Sequence, residues 1–411
     1  AAVGATGALI NLIVNTFMGL SVGTTVIVAQ DYGAGQMSSL SDSVHTSIAI
    51  SIISGLVVMV VGLIFCEPML ILMGTPEDIL ELSVLYMRIY FIVVPATMVY
   101  NFGASILRAV GDSRRPMYYL SISGFVNVIL NLFFVIVLHM SVDGVAWATV
   151  ISQFLSMALV IVCLIRSNRG IQLIPRQMRI EKRKLKEIVR IGLPAGMQSF
   201  LFSISNVLIQ SAVNSFGSNM VAANSAAGNV EGFVGTAMNG YYNAAITFSG
   251  QNMGAKKYDR IDKIAKICTV LVFATWFIVS GATLIFGRPL LSLYTSDPEV
   301  IDLGMIRMRV LMIAYFTCGI MNVFPGKTRG MGYSVLPMIC TLIGACLMRI
   351  VWLKTVFAWF PTIDVLFSCY PVTWGLAGLG QVGIFLYARK RIRKNDMLEI
   401  KSDTQAICSH Q

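Results

Sequence analysis

Apolar residues in this chain come in long unbroken runs separated by short polar connections. "TSIAISIISGLVVMVVGLIF" (46–65), "ICTVLVFATWFIVSGATLIF" (267–286) and "VLFSCYPVTWGLAGLGQVGIFLY" (365–387) are examples. Each is close to the ~20 residues a helix needs to cross the hydrocarbon of a bilayer. Helical runs of this kind, rather than ten-residue alternating segments, exclude an outer-membrane barrel. The pattern predicts eleven spans, near 5–28, 43–65, 82–104, 117–139, 144–165, 191–213, 220–247, 265–286, 303–325, 335–357 and 365–388.

Composition agrees, with 56% hydrophobic and 12% charged residues, against roughly 25% charged in a soluble domain. The net charge of +11 does not point to nucleic acid, because the basic residues lie in loops rather than on one face. Arg108, Arg114 and Arg115 share one connection, and 166–190 forms a second, richly basic one. Further basic groups lie at 256–266, at Lys327 and Arg329, and at 389–394. All fall on one side of the predicted topology, whereas an alternate connection, "CEPMLILMGTPEDILE" (66–81), is acidic. The basic side therefore reads as cytoplasmic, which predicts a multi-pass protein of the inner (plasma) membrane with a cytoplasmic C-terminus. Eight cysteines are scattered without a CxxC pair, so neither a disulfide framework nor a transition-metal site is readable, and no cofactor is expected.

The chain repeats itself. An offset of 221 residues, taken without a gap, aligns Gln30 with Gln251, Gly33 with Gly254, Pro68 with Pro289, and Met87 and Arg88 with Met308 and Arg309. The register continues through Asn101/Asn322, Arg108/Arg329, Gly111/Gly332 and Pro116/Pro337. Between positions 19 and 117 about 21 identities stand where composition predicts roughly seven. Two copies of one bundle, with the same membrane orientation, are the expected architecture.

The second copy opens with the span 191–213, whose counterpart would precede Ala1. A natural chain of twelve spans is therefore expected, of which this one carries eleven. The organisation predicted is an N-terminal lobe over 1–165, a basic linker over 166–190, a C-terminal lobe over 191–388 and a tail over 389–411. The linker's length and charge suit a tether that lets two lobes rock. In this scheme "QDYGA" and "QNMGA" each end the second helix of a six-helix bundle, with Gly33 and Gly254 relieving steric limits at the turn.

The motifs "VAQDYGAGQ", "ILRAVGDSRRPM", "VNVILN" followed by "GVAWATVISQ", "GLPAGMQ" and "RGMGYSVLPM" occur in order along the whole chain. Together they resemble the multidrug and toxic compound extrusion (MATE) transporters. The resemblance implies an all-α polytopic membrane protein of two pseudo-symmetric six-helix bundles around a central cavity. It implies export of small organic cations against inward Na⁺ or H⁺, by alternating access. A monomer is expected, with the lipid bilayer as its surroundings.

In many members a first-lobe cation site combines an acid on the first helix with an amide pair on the fifth and a threonine on the sixth. The matching residues here are Asn127, Asn131 and Thr149. A spacing of four puts both amides on one helix face, and neutral oxygens suit Na⁺. The acid would belong to the helix expected before Ala1. One branch of the family instead uses second-lobe acids, at positions occupied here by Phe202 and Cys318, so that mechanism does not carry over.

In the second lobe, Glu231 is the acid placed at membrane depth, and Arg349 is the basic residue at similar depth. Such groups mark functional candidates unless paired, and a Glu231–Arg349 pair is one expectation. Met238 and Tyr242 follow Glu231 on the same helix face and would flank a flat lipophilic cation if that face lines the cavity. Gln198 and Phe202 are further cavity candidates.

Two rival readings carry less weight. "GLSVG" (19–23) fits Gly-x-Ser-x-Gly, but within an apolar helix its small residues serve close helix packing rather than hydrolysis; no enzyme is expected. A lipid-linked oligosaccharide flippase shares repeat-built bundles, and it would favour a basic cavity where cation export favours a neutral or acidic one.

Overall fold

All eleven apolar runs are helical in the computed structural model of the protein, which describes residues 2–72, 77–140, 142–168 and 170–409. In chain order the long helices are α1 (Ala2–Gly33), α2 (Met37–Leu72), α3 (Glu77–Ala109), α4 (Arg114–Val137), α5 (Val142–Ile165) and α6 (Lys182–Asn214). They are followed by α7 (Ser218–Gly254), α8 (Tyr258–Ile285), α9 (Pro298–Ile313), α10 (Tyr315–Gly330), α11 (Val335–Trp359) and α12 (Ile363–Ser409). Among the described residues there is no strand. Residues 73–76 of the acidic connection, and most side chains before Phe17, lie outside what is described.

The single span expected at 303–325 is instead two helices, α9 and α10, bent by 51°. Helix α9 begins earlier than the apolar run because Asp297 accepts the Glu299 N–H at 2.9 Å and Pro298 follows it, an N-cap with proline at the first helical position. Among the described residues eight helices are long and apolar enough to cross a membrane, and the bent pair makes a ninth. Helix α7 falls short on composition, because Asn219, Asn224, Asn229, Asn239 and Asn243 interrupt it.

The chain divides into two compact units, Ala1–Phe200 and Leu201–Gln411. The division falls inside α6. In the first unit α3 is central: 61% of its most apolar stretch is buried, against 6% for α4, which turns Phe125 and Ile136 outward. Such outward apolar surface suits lipid, so packing and hydrogen bonds, rather than escape from water, hold these helices together.

In the first unit, glycines bring α1 against α6. A Cβ on Gly19 would collide with Gly196 N, and one on Gly23 with the Ile188 carbonyl oxygen. A Cβ on Gly192 would sit 2.7 Å from Leu20 Cα. Two glycines four apart on each helix thus bring backbone against backbone, the use of small residues expected for 19–23. Ser21 between them donates to the Met18 carbonyl at 2.7 Å.

The repeat reappears as duplicated turn geometry. Asp112 N–H bonds to Leu107 O and Gly111 N–H to Arg108 O, both at 2.9 Å; Tyr333 bonds to Thr328 O at 3.1 Å and Gly332 to Arg329 O at 2.8 Å. Gly111 and Gly332 are left-handed, at φ 91° and 92°. This is the Schellman ending, in which the left-handed residue lets the chain turn back onto the last helical carbonyls. The same bonds end α1 and α7: Gln36 N–H to Asp31 O, and Lys257 N–H to Asn252 O. There the left-handed residues are Gly35 and Lys256, not Gly33 and Gly254. The turn closes two residues later than the motif suggested, since Gly33 and Gly254 are still helical.

The basic linker is docked rather than free. Ile171 and Leu173 are buried in the first unit's core, and Ile174 N–H donates to His45 Nε2 at 3.1 Å. Arg179 pairs with Asp42 at 2.7 Å, and Glu181 N–H reaches Thr46 Oγ1 at 3.1 Å. Lys327 and Arg329 are not loop residues either. Both are buried in the last turn of α10. Lys327 Nζ donates to the Ala265 carbonyl at 3.0 Å and stands over the Phe324 ring at 3.8 Å, and Arg329 donates to the Tyr242 hydroxyl. The expected tail continues α12 as helix, with Arg389 and Arg393 held on Asp262 at 2.7 and 2.9 Å.

Candidate functional site

The second unit contains a cavity of about 380 Å³, lined from α6, α7, α9, α10, α11 and α12. The charged groups that line it are Glu231 on α7, Arg307 on α9 and Arg349 on α11. Glu231 Oε2 accepts from Arg307 Nη2 at 2.6 Å. Arg307 also donates to the Asn224 carbonyl at 2.8 Å, and Asn224 in turn donates to Gln210 Oε1 at 2.8 Å. The acid is thus one end of a hydrogen-bonded chain from α6 through α7 to α9.

The expected Glu231–Arg349 pair does not form. Arg349, fully buried, gives Nη1 to Asn206 Oδ1 at 2.7 Å, with Ser205 Oγ at 3.5 Å. Its guanidinium carbon lies 4.7 Å from the ring centroids of both Phe202 and Tyr370. Nε and Nη2 have no hydrogen-bond partner among the described residues. Nor is Arg349 alone as a basic residue at depth, because the early start of α9 carries Arg307 well into the helix. Asp297 followed by Pro298 is the signal that could have placed it.

Met238 is buried and lines the cavity, but Tyr242, one turn on, does not; its hydroxyl serves Arg329. Phe202 and Cys318, neither able to supply a carboxylate, line the same cavity. Cys318 Sγ lies 3.4 Å from Asn322 Nδ2. Gln198 is half-buried on α6 and is not among the lining residues. Asn206, Tyr315 and Tyr370 were not singled out by the sequence, because one polar or aromatic residue in an apolar run carries no sign of which neighbour it meets.

In the first unit, α4 brings Asn127 and Asn131 together, with Asn131 Nδ2 donating to Asn127 Oδ1 at 3.0 Å. Asn127 Nδ2 reaches Ser152 Oγ on α5 at 3.3 Å. Thr149, one turn before Ser152, directs its hydroxyl to the Val145 carbonyl at 3.0 Å. Asn131 Oδ1 is a buried atom without a hydrogen-bond partner among the described residues. Ser123 donates to the Ser152 carbonyl, so 123, 127 and 131 form one polar stripe on α4, a spacing of four that could have added Ser123 to the reading.

The repeat residues sit at helix ends. Gln30 and Gln251 carbonyls accept from Ala34 and Ala255 at 2.9 and 3.0 Å, and Arg108 donates to Ser105 Oγ at 3.2 Å. Among the described residues no three His, Cys, Asp or Glu side chains cluster as metal ligands do.

The MatE family profile matches residues 1–133 and 194–353. The chain is 26% identical over 338 residues to the "Probable multidrug resistance protein YoeA" of Bacillus subtilis, spanning 80% of this chain and 73% of that one. It is 24% identical over 322 residues to the "FAD transporter" of Shewanella oneidensis, covering 77% and 71%. Among solved structures it is similar to the Vibrio cholerae MATE transporter VcmN in the bent form, with TM-score 0.86, 22% identity, and coverage of 95% of this chain and 88% of that chain.

Proposed function

Because the chain belongs to the MatE family of multidrug and toxic compound extrusion transporters, we propose that it is a secondary active exporter of small organic molecules, driven by inward Na⁺ or H⁺. The observation that carries this reading is the family match across both halves of a repeated, membrane-spanning helical chain. Alternating access of the two units is the mechanism the repeat supports. The relatives called multidrug resistance proteins favour small-molecule cargo over the lipid-linked oligosaccharides of a flippase.

The coupling ion is assigned to the first unit on the neutral side-chain oxygens of Asn127, Asn131 and Thr149, half-buried on α4 and α5. Asn131 Oδ1, a buried atom without a partner among the described residues, is the oxygen that would take a cation. Lipophilic organic cations are the cargo the family resemblance implies, but the second-unit cavity carries two guanidiniums to one carboxylate, which favours the opposite charge. The relative called an FAD transporter carries a phosphate-bearing cargo by name. With its basic side taken as cytoplasmic, the protein exports from the cell interior.

The test is transport by purified protein in liposomes, with a Na⁺ gradient and a pH gradient imposed separately. Movement of a dye or drug that follows one gradient and stops when it is dissipated is the expected result. Movement indifferent to both gradients would remove the antiport reading.

A further inference from the structure

We propose that the second-unit cavity binds a small organic anion, whose carboxylate or other oxyanion is taken side-on by the Nε–H and Nη2–H of Arg349. This deepens the exporter reading by naming a cargo class, and it rests on that reading only for the claim that the bound molecule is moved.

Charge comes first. Among the lining residues the charged groups are Glu231, Arg307 and Arg349, and Glu231 is already engaged by Arg307 at 2.6 Å. The cavity is left with the positive charge of Arg349. A buried guanidinium without a counter-charge is costly, and a buried donor left without a hydrogen bond calls for an explanation, of which a bound ligand is one.

Geometry narrows the ligand. Of the guanidinium's donors, Nη1 is occupied by Asn206 at 2.7 Å, while Nε and Nη2 have no partner among the described residues. Those two nitrogens present parallel N–H bonds along one edge, the fork that a carboxylate or phosphate accepts with two hydrogen bonds. Phe202 and Tyr370 each hold a ring centroid 4.7 Å from the guanidinium carbon, and both line the same cavity. Asn206 and the two rings fix the plane of that edge in advance, which reduces the ordering cost of binding.

The cavity suits an organic anion better than a bare one. Its volume of about 380 Å³ lies within the range of small-molecule sites. Met238, Trp374 and Tyr315 supply apolar and aromatic surface, and Asn239 and Asn322 supply neutral donors and acceptors. A cation placed here would meet Arg349 without an available carboxylate to offset it.

The experiment compares binding of 1-naphthoate, its neutral isostere 1-naphthamide and the cation 1-naphthylmethylammonium to the purified full chain, by calorimetry or ligand-induced thermal shift. Two charge-assisted hydrogen bonds predict that naphthoate binds about tenfold to a hundredfold more tightly than the amide. Arg349→Lys keeps the charge but removes the fork and should erase most of that preference; Arg288→Ala, on the exposed pair with Asp302, should leave it intact. Equal binding of naphthoate and naphthamide, or tighter binding of the ammonium ion, overturns the proposal in the unmutated protein, whatever the variants do. Preference retained in a folded Arg349→Lys protein also overturns it. If naphthoate binds as expected but no gradient moves any of the three probes into liposomes, the site stands and the exporter reading fails; gradient-driven transport without an anion preference does the reverse.

Discussion

Lys184 Nζ lies 2.9 and 2.7 Å from the two carboxylate oxygens of Asp31, and both residues are buried. Ser39 and Ser43 donate to the same carboxylate, at 3.0 and 2.5 Å. The pair ties the "QDYGA" end of α1 to the first turn of α6, where the linker enters its helix. Removing one member leaves the other charge buried and unmatched, so Lys184→Met should cost roughly 3–5 kcal/mol. Asp31→Asn combined with Lys184→Met should recover most of the loss. Thermal unfolding in detergent measures both; a double mutant no better than the single would show that the pair is not the source of the cost.

Glu231, half-buried, and Arg307, buried, form an ion pair in the second unit. Glu231→Gln keeps shape and hydrogen bonding but leaves the guanidinium facing a neutral amide, a loss of order ~3 kcal/mol. Adding Arg307→Met should restore stability. If Glu231 acts only through this pair, gradient-driven export returns with it. A stable double mutant that still fails to transport would give the carboxylate a coupling role, read by reconstituted transport beside the melting curve.

The duplicated helix endings make a backbone prediction. Gly111 and Gly332 are left-handed, and a Cβ on Gly111 would meet nothing within 4 Å. Any cost of Gly111→Ala therefore comes from φ alone, about 1–2 kcal/mol. Gly124, in α4 with a negative φ and the same open surroundings, should gain from the same change, by up to about 1 kcal/mol. Melting temperatures moving in opposite directions in the two alanine variants are the expected outcome, and a parallel shift would contradict it.

What the sequence made legible follows from the length scale of each signal. The spans are set by some twenty residues of apolar side chain each, and the repeat by positions spread over about a hundred, so single deviations do not obscure them. The cavity depends on which individual polar residues face each other across helices. Reading depth from the apolar run alone paired Glu231 with Arg349 and overlooked Arg307, because α9 begins at a cap rather than at the first apolar residue. Lys327 and Arg329 misled in the same way. A basic residue beside a glycine turn reads as loop, yet the final helical turn buries both against a carbonyl, an aromatic face and a tyrosine hydroxyl.

Asn131 gives the sharpest test of the first-unit site. Its Nδ2 is committed to Asn127, whereas its Oδ1 is buried and has no partner among the described residues. An acceptor kept dry and unpaired costs free energy unless a cation or a donor completes it. Asn131→Leu removes that oxygen and, in an apolar bundle, need not harm folding. If the oxygen ligates the coupling ion, the Na⁺ concentration for half-maximal export should rise about tenfold, the loss of one ligand's worth of binding. Thr149→Val is the contrast. Its hydroxyl already bonds within its own helix, so a comparable shift is expected only if that hydroxyl turns to the ion when it binds. Were export to depend on the proton gradient alone, the same two variants would be read against external pH. A Na⁺ or H⁺ dependence unmoved by Asn131→Leu in a folded, transporting protein would return the amide pair to helix packing.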